Sequence, residues 1–233
     1  MGWLLATTTT TWWMAKRRII LAALVTPADV MENVPLRDLL WRVCFRRKLH
    51  PRQAIGDTTY GTVENIVALE DEGIRAYVPL PDMNHRGPFY DQDSFRYDPA
   101  RDEYPCSAGH ALARERVKPT EGAVVHRADA ATCNACPLKA ERTESRRGRI
   151  PHRSLYADYL EKVRGHHATE AYKIVLRKRQ VWVEPLFTEA KLWHGLRCFR
   201  RRRLANVNIE GLLIAGGAEP QTLPLGGTAV GAW

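Results

Sequence analysis

Residues 53–79 read QAIGDTTYGTVENIVALEDEGIRAYVP, and their pattern decides the fold. Gln53-Ala54-Ile55-Gly56 is a short strand that ends on Asp57. Residues 62–72 then place Val63, Ile66, Val67 and Leu69 on the inward face of a helix, which Gly73 closes. Ile74-Arg75-Ala76-Tyr77-Val78-Pro79 reads as the next strand. Upstream, residues 19–25 are a continuous apolar run, the mark of a buried strand, ended by Thr26-Pro27. Residues 35–48 read as an amphipathic helix with Arg46, Arg47 and Lys48 toward its end. Strand, helix, strand, helix, strand is the order of an α/β core.

Beyond residue 80 the pattern changes. Residues 81–153 are rich in Pro, Gly and charge and hold Cys106, Cys133 and Cys136, so they read as a loop-rich insertion. Residues 155–180 return to helix with Tyr156, Tyr159, Leu160 and Val163 on one face. A second helix is expected from about Val183 to Trp193, then a last apolar segment at 204–215. The tail from Gly216, with Gly-Gly twice and two prolines, reads as unstructured. At the other end, residues 1–16 carry a threonine run and Trp12-Trp13 without amphipathic logic.

The chain has 233 residues, 45% hydrophobic and 26% charged, which suits a soluble globular protein. Its net charge of +9 favours an anionic partner, most often nucleic acid, although a basic solvated surface has the same composition. Five cysteines, an odd number, and an N-terminus whose positive charge follows its apolar residues argue against a secreted disulfide scaffold. No stretch reaches transmembrane length, so a cytoplasmic location is expected.

Four constellations bear on chemistry. Asp57 lies at the C-terminal end of a buried strand, where α/β sheets build their sites, although by itself a cap on the following helix is the better explanation. Glu184 precedes Pro185 at an expected helix start, and Lys191 follows seven residues later on the same face. A carboxylate for metal aligned with an ammonium for phosphate suits phosphodiester chemistry; a solvated charged helix has the same look. Arg197, Arg200, Arg201, Arg202 and Arg203, interleaved with Trp193, His194 and Phe199, form a patch able to follow a DNA backbone. Cys133-x-x-Cys136 is a knuckle that, with Cys106 and either His110 or His126, has the donors of a structural zinc site; reduced free thiols are the plain alternative.

Three blocks carry a resemblance to insertion-sequence transposases of the DDE type. They are Gly56-Asp57-Thr58-Thr59-Tyr60-Gly61 with Val63-Glu64-Asn65-Ile66; Tyr97-Asp98-Pro99 through Cys106, with Cys133-x-x-Cys136-Pro137-Leu138-Lys139; and Val183-Glu184-Pro185-Leu186-Phe187 with Lys191, Gly195, Leu196 and Arg197. The resemblance spans roughly residues 17–215. It implies a ribonuclease H-like catalytic core in which three carboxylates hold two Mg²⁺ ions for cleavage and strand transfer at transposon ends. It implies that Asp57 is the second acidic ligand and Glu184 the third. Lys191 would contact DNA, joined by Arg177, Arg179, Arg197, Arg200 and Arg201. A homodimer on DNA, near the bacterial nucleoid, is the implied assembly. The resemblance also implies a fourth cysteine after the knuckle, where this chain has Arg142.

The first aspartate is missing. It should lie just before Ile19-Ile20, where the chain reads Trp12-Trp13-Met14-Ala15-Lys16. Trp and Met have single codons, so Trp-Trp-Met-Ala is TGG TGG ATG GCN. Regrouped from the last base of the first codon, this reads GTG GAT GGC, or Val-Asp-Gly. Residues 1–16 are therefore expected to be an out-of-frame segment. The core follows at 17–80, the insertion at 81–153, the helical part of the core at 154–215 and a disordered tail at 216–233. A chain so divided should be catalytically incomplete, leaving a DNA-binding remnant or a zinc-binding module as alternatives.

Overall fold

A computed structural model describes residues 7–14, 19–81 and 95–218. It is a mixed α/β structure of two compact units, 1–80 with 159–233 and 81–158. None of its helices is long and apolar enough to cross a membrane.

The first unit begins with an antiparallel pair, β1 (Thr7–Met14) and β2 (Ile19–Pro27), which runs in register from Thr7 opposite Pro27 to Met14 opposite Ile19. The register shifts between Trp12 and Trp13. Sequence reading assigned no element to 7–14. Threonine is β-branched and fits a strand, and backbone pairing needs no amphipathic alternation. Helix α1 (Leu36–Arg47) follows, then β3 (Gln53–Ile55), α2 (Val63–Asp71) and β4 (Arg75–Tyr77). β3 and β4 pair in parallel, with Gln53 opposite Arg75 and Ile55 opposite Tyr77.

Each element forms where its pattern demands. Thr62 caps α2 through a hydrogen bond accepted from Asn65 N. Ile66 and Leu69 are buried against Leu36, Leu40, Ala54, Ala76 and Val78, so both helices cover the β3–β4 pair. Asn65 is also buried, and its amide donates to the carbonyls of Asn33 and Tyr60. A buried amide is tolerated only with such partners. Gly61 is obligatory for a different reason. A Cβ there would lie 2.6 Å from the Pro79 carbonyl oxygen. The turn after Asp57 thus runs hard against the end of the β4 segment.

The C-terminal helices complete this unit. Helix α4 (Ala157–His167) sends Val163 into the same core, with Tyr159 and Leu160 beside it. Tyr156 precedes the helix and is exposed, so it does not share that face. Helix α5 runs unbroken from Glu170 to Trp193 with Pro185 inside it. The expected helix start at Val183 is therefore not there. Proline in a helix interior costs about 3 kcal/mol by losing a hydrogen bond and crowding the preceding turn. Burial of Val183, Leu186 and Ala190 on one side offsets it.

Helix α6 (Leu204–Gly217) packs on β2. Asn208 reaches over it, accepting from Val25 N and donating to Val25 O, both at 2.9 Å. The amide takes the place of a neighbouring strand. At Gly211 a Cβ would meet Val25 Cγ2 at 2.6 Å, so the helix sits as close as a glycine permits. Gly216 and Gly217 end this helix instead of opening the tail; residues 219–233 lie outside the described residues.

The second unit contains a four-stranded antiparallel sheet, β5 (Glu103–Pro105), β6 (Ala111–Lys118), β7 (Ala123–Ala128) and β8 (His152–Ser154), in that order. The loop-rich reading of this segment is thereby corrected. β6 buries Leu112 and leaves most of its charged residues in water, so it has little apolar alternation to read. A short helix α3 (Ala130–Ala135) follows β7 and carries Cys133.

Candidate DNA-binding surface and acidic site

The Asp57 turn and helix α5 come together, although they are distant in sequence. Asp57 follows β3 and Gly56, and its side chain does two things. Oδ1 accepts a hydrogen bond from Thr59 N at 3.0 Å, capping the short turn Thr58–Tyr60. Oδ2 accepts from Arg179 Nη2 at 3.1 Å. Both carboxylate oxygens are thus engaged. The pair is part-exposed, with 41% of the Asp57 side chain and 26% of the Arg179 side chain in water.

Further along α5, Glu184 is exposed beside buried Val183. Because α5 is continuous, Arg177, Glu184 and Lys191 recur every seven residues along one face, each step about 10 Å of helix axis. All three are exposed. Lys178 lies over the Trp182 ring at 5.7 Å.

Between α5 and α6 the chain is pinned by apolar contact. Leu196 and Phe199 pack on a cluster of Ala190, Ile214 and Ala218. Glu210 on α6 accepts from the backbone N–H groups of Arg200 (2.9 and 3.1 Å) and Arg201 (2.9 Å). Those bonds hold its carboxyl below the usual range. One internal anion therefore satisfies the loop backbone, and the side chains of Arg197, Arg200 and Arg201 are left exposed. The arrangement presents guanidinium groups on a braced loop, which is what phosphate contact requires.

The residues do not fit a two-metal site. Among the described residues no three His, Cys, Asp or Glu side chains come together as a metal-holding group. Asp57 is occupied by Arg179 and Thr59 N, and Glu184 stands exposed. Trp13 and Met14, where the resemblance implies the first aspartate, lie in β1.

The cysteine site also differs from expectation. Cys106, His110, Cys133 and Cys136 line one cavity of about 190 Å³ in the second unit, with Arg142 and Arg149. They do not form a metal-holding group. Arg142, which stands where the resemblance implies a cysteine, is 3% exposed and donates to Ser107 Oγ. Burial pushes the Cys106 thiol up, but the backbone N–H groups of His110 and Ala108 and the Arg142 guanidinium bring it below its ordinary value. The cations that line this pocket are Lys139, Arg142 and Arg149.

His126, the other zinc candidate, is elsewhere. It is fully buried, its Nε2 is 3.1 Å from Asp102 Oδ1, and its ring meets Tyr97 and Tyr104 edge-on. Asp102 also accepts from Tyr97 Oη at 2.8 Å and Arg114 Nη1 at 2.9 Å. Hydrogen bonds from Tyr97, His126 and Arg114 lower its carboxyl to about 2. Sequence reasoning missed this network. The only signal was Asp102 inside the Tyr97–Cys106 block, with no spacing rule to join it to His126.

The family model for the transposase DDE domain matches residues 105–218, just under half of the chain. The matched segment holds the cysteines of the knuckle, Arg177, Arg179, Glu184, Lys191, Arg197, Arg200 and Arg201; Asp57 lies before it. No curated protein and no solved structure matches the chain. Over this segment, which includes helix α5 and the braced arginine loop, the chain is similar to the DDE domain of transposases.

Proposed function

We propose that this protein is a DDE transposase fragment that binds DNA but does not by itself cleave or transfer it. The observation that carries this reading is the state of the acidic site. Asp57 is held by an arginine and a backbone N–H, and among the described residues no metal-holding group of three stands with it. Transposases of this kind use divalent metal held by acidic side chains. Two carboxylates, one already neutralised, are a poor donor set, and no chemical step is assigned to them.

The chain's own residues still suit DNA. On α5, Arg177 and Lys191 flank Glu184 along one face, and Arg197, Arg200 and Arg201 extend the basic surface. Phosphate is the partner these groups recognise. Arg179 holds Asp57 and so helps fix the turn against α5. We assign β2, β3 and β4 to a ribonuclease H-like core, supported by the β–α–β–α–β order and by Asp57 at a strand end. We assign residues 1–16 to an out-of-frame segment, supported by the Val-Asp-Gly codons beneath Trp12–Ala15. Pairing as a dimer on DNA, in the cytoplasm, is part of the same reading.

The test combines binding with cleavage. The purified chain should shift transposon-end DNA in a gel, and the shift should weaken steeply with salt. Glu184→Ala should leave that binding largely intact. With Mg²⁺ added, no strand transfer should appear; robust cleavage refutes the incompleteness. Absence of any DNA shift at low salt refutes the binding. Sequencing upstream of the reading frame decides the frameshift, which fails if no shifted frame encodes transposase-like sequence.

A further inference from the structure

Helix α1 carries a surface that the proposed DNA contacts leave unused. Its inner side, Leu36, Leu39, Leu40 and Val43, is buried in the first unit. Its outer side presents Arg37, Trp41 and Phe45, four residues apart on one face, and Lys48 follows at the left-handed cap that ends the helix. Trp41 is 59% exposed and Phe45 58%. Their rings stack on each other, with centroids 4.8 Å apart and planes only 6° apart. The Lys48 ammonium lies 4.8 Å from the centre of the Phe45 ring. Two large aromatic rings held parallel in water, with a cation on one of them, form an ordered platform instead of a stray exposed side chain.

The surrounding charge selects the ligand. Between residues 37 and 52 there are six cations, Arg37, Arg42, Arg46, Arg47, Lys48 and Arg52, and a single acid, Asp38. A second copy of this face would set Arg37 and Lys48 against the same cations, with the other four close by, so self-association is opposed. A ligand that fits must be a polyanion with flat π faces. Duplex DNA offers the phosphates but hides the faces of its bases, whereas a single strand offers both.

We propose that Trp41 and Phe45 form a stacking platform for unpaired bases of single-stranded DNA, with Arg37 and Lys48 at its two ends on the flanking phosphates. The proposal rests on the DNA-binding reading above and adds a second contact of different chemistry. Contacts from α5 and the arginine loop read phosphate alone. The α1 stripe reads the base faces, without regard to sequence, because every base has one.

The experiment uses the full chain and three ligands of equal length: an oligothymidylate, an abasic strand and a duplex. The wild-type protein should bind oligothymidylate about tenfold or more tighter than the abasic strand, which carries the same phosphates. In Trp41→Ala/Phe45→Ala that preference should vanish, while duplex affinity and the far-ultraviolet circular dichroism stay unchanged. If the double variant does not fold, the comparison of oligothymidylate with the abasic strand on the wild-type protein decides alone. Equal affinity for those two strands overturns the proposal, and duplex binding in the same assay then leaves the DNA reading standing. Failure to bind any of the three overturns both. A wild-type dimer that Trp41→Ala/Phe45→Ala turns into monomer also overturns the proposal, because the stripe is then a protein interface.

Discussion

Asp57 in the α/β unit and Asp102 in the sheet unit both accept hydrogen bonds on their two carboxylate oxygens, and each has an arginine among its donors. Behind that likeness the two sites differ. Asp57 has one backbone N–H and one side-chain partner, both near water. Asp102 has a tyrosine, a fully buried histidine and an arginine, and the tyrosine ring belongs to the packing around Phe95, Tyr104 and Leu112. The first cluster can exchange its arginine for another partner at little cost. The second holds a sheet together. Ion pairs near the surface contribute little to stability, and buried polar networks contribute much when complete.

That difference can be broken in stages. The largest effect belongs to the packing beneath Asp102. Leu112→Ala should cost about 2–5 kcal/mol, read as a lower denaturant midpoint, since Leu112 is 1% exposed. A loss under 1 kcal/mol would mean that the sheet core is not what holds this unit.

Next comes the network itself. Asp102→Ala should cost about 1–3 kcal/mol, because Tyr97 Oη and His126 Nε2 lose their partner in or near the core. Its signature should be acid dependence. The Asp102 carboxyl is lowered from 3.8 to about 2, so its stabilisation is complete above pH 3.8 and disappears as the pH falls toward 2. Water at this part-exposed carboxylate attenuates the amplitude. Urea titrations of the wild type and Asp102→Ala should therefore converge on acidification. Parallel curves would assign the loss to packing.

The smallest stability effect is expected at the first cluster. Arg179→Ala should change stability by less than about 1 kcal/mol. Lys191→Ala should change it still less, yet should lower the slope of log affinity against log salt by about 1. If Arg179→Ala proves as costly as Asp102→Ala, the contrast between the two clusters collapses.

Legibility followed the same division. In residues 19–80 each element buries one side at its natural period, so Ile66 and Leu69, Ala54 and Ala76 announce their helix and strands. The sheet of the second unit was not legible, because β6 buries one leucine among charged neighbours and β7 is buried almost throughout. Neither alternates cleanly. Pro185 misled in the opposite direction. Local chemistry places proline at a helix start, and only the burial of Val183 and Leu186 carries α5 through it. The Cys106, His110, Cys133 and Cys136 group lines one cavity, and the buried Arg142 beside it was not legible in the sequence. An arginine buried against Cys106 and Ser107 leaves no spacing signal.

What the sequence determined by itself was local and periodic. It specified the α/β order around Asp57, the seven-residue alignment of Glu184 with Lys191, the excess of positive charge and the absence of an acid before Ile19. Tertiary structure alone decided which groups meet. It set Arg179 on Asp57, Arg142 among the cysteines and His126 on Asp102. Periodicity sets which side of an element faces inward. The partner waiting there comes from a distant stretch of chain, and only packing brings it within hydrogen-bond reach.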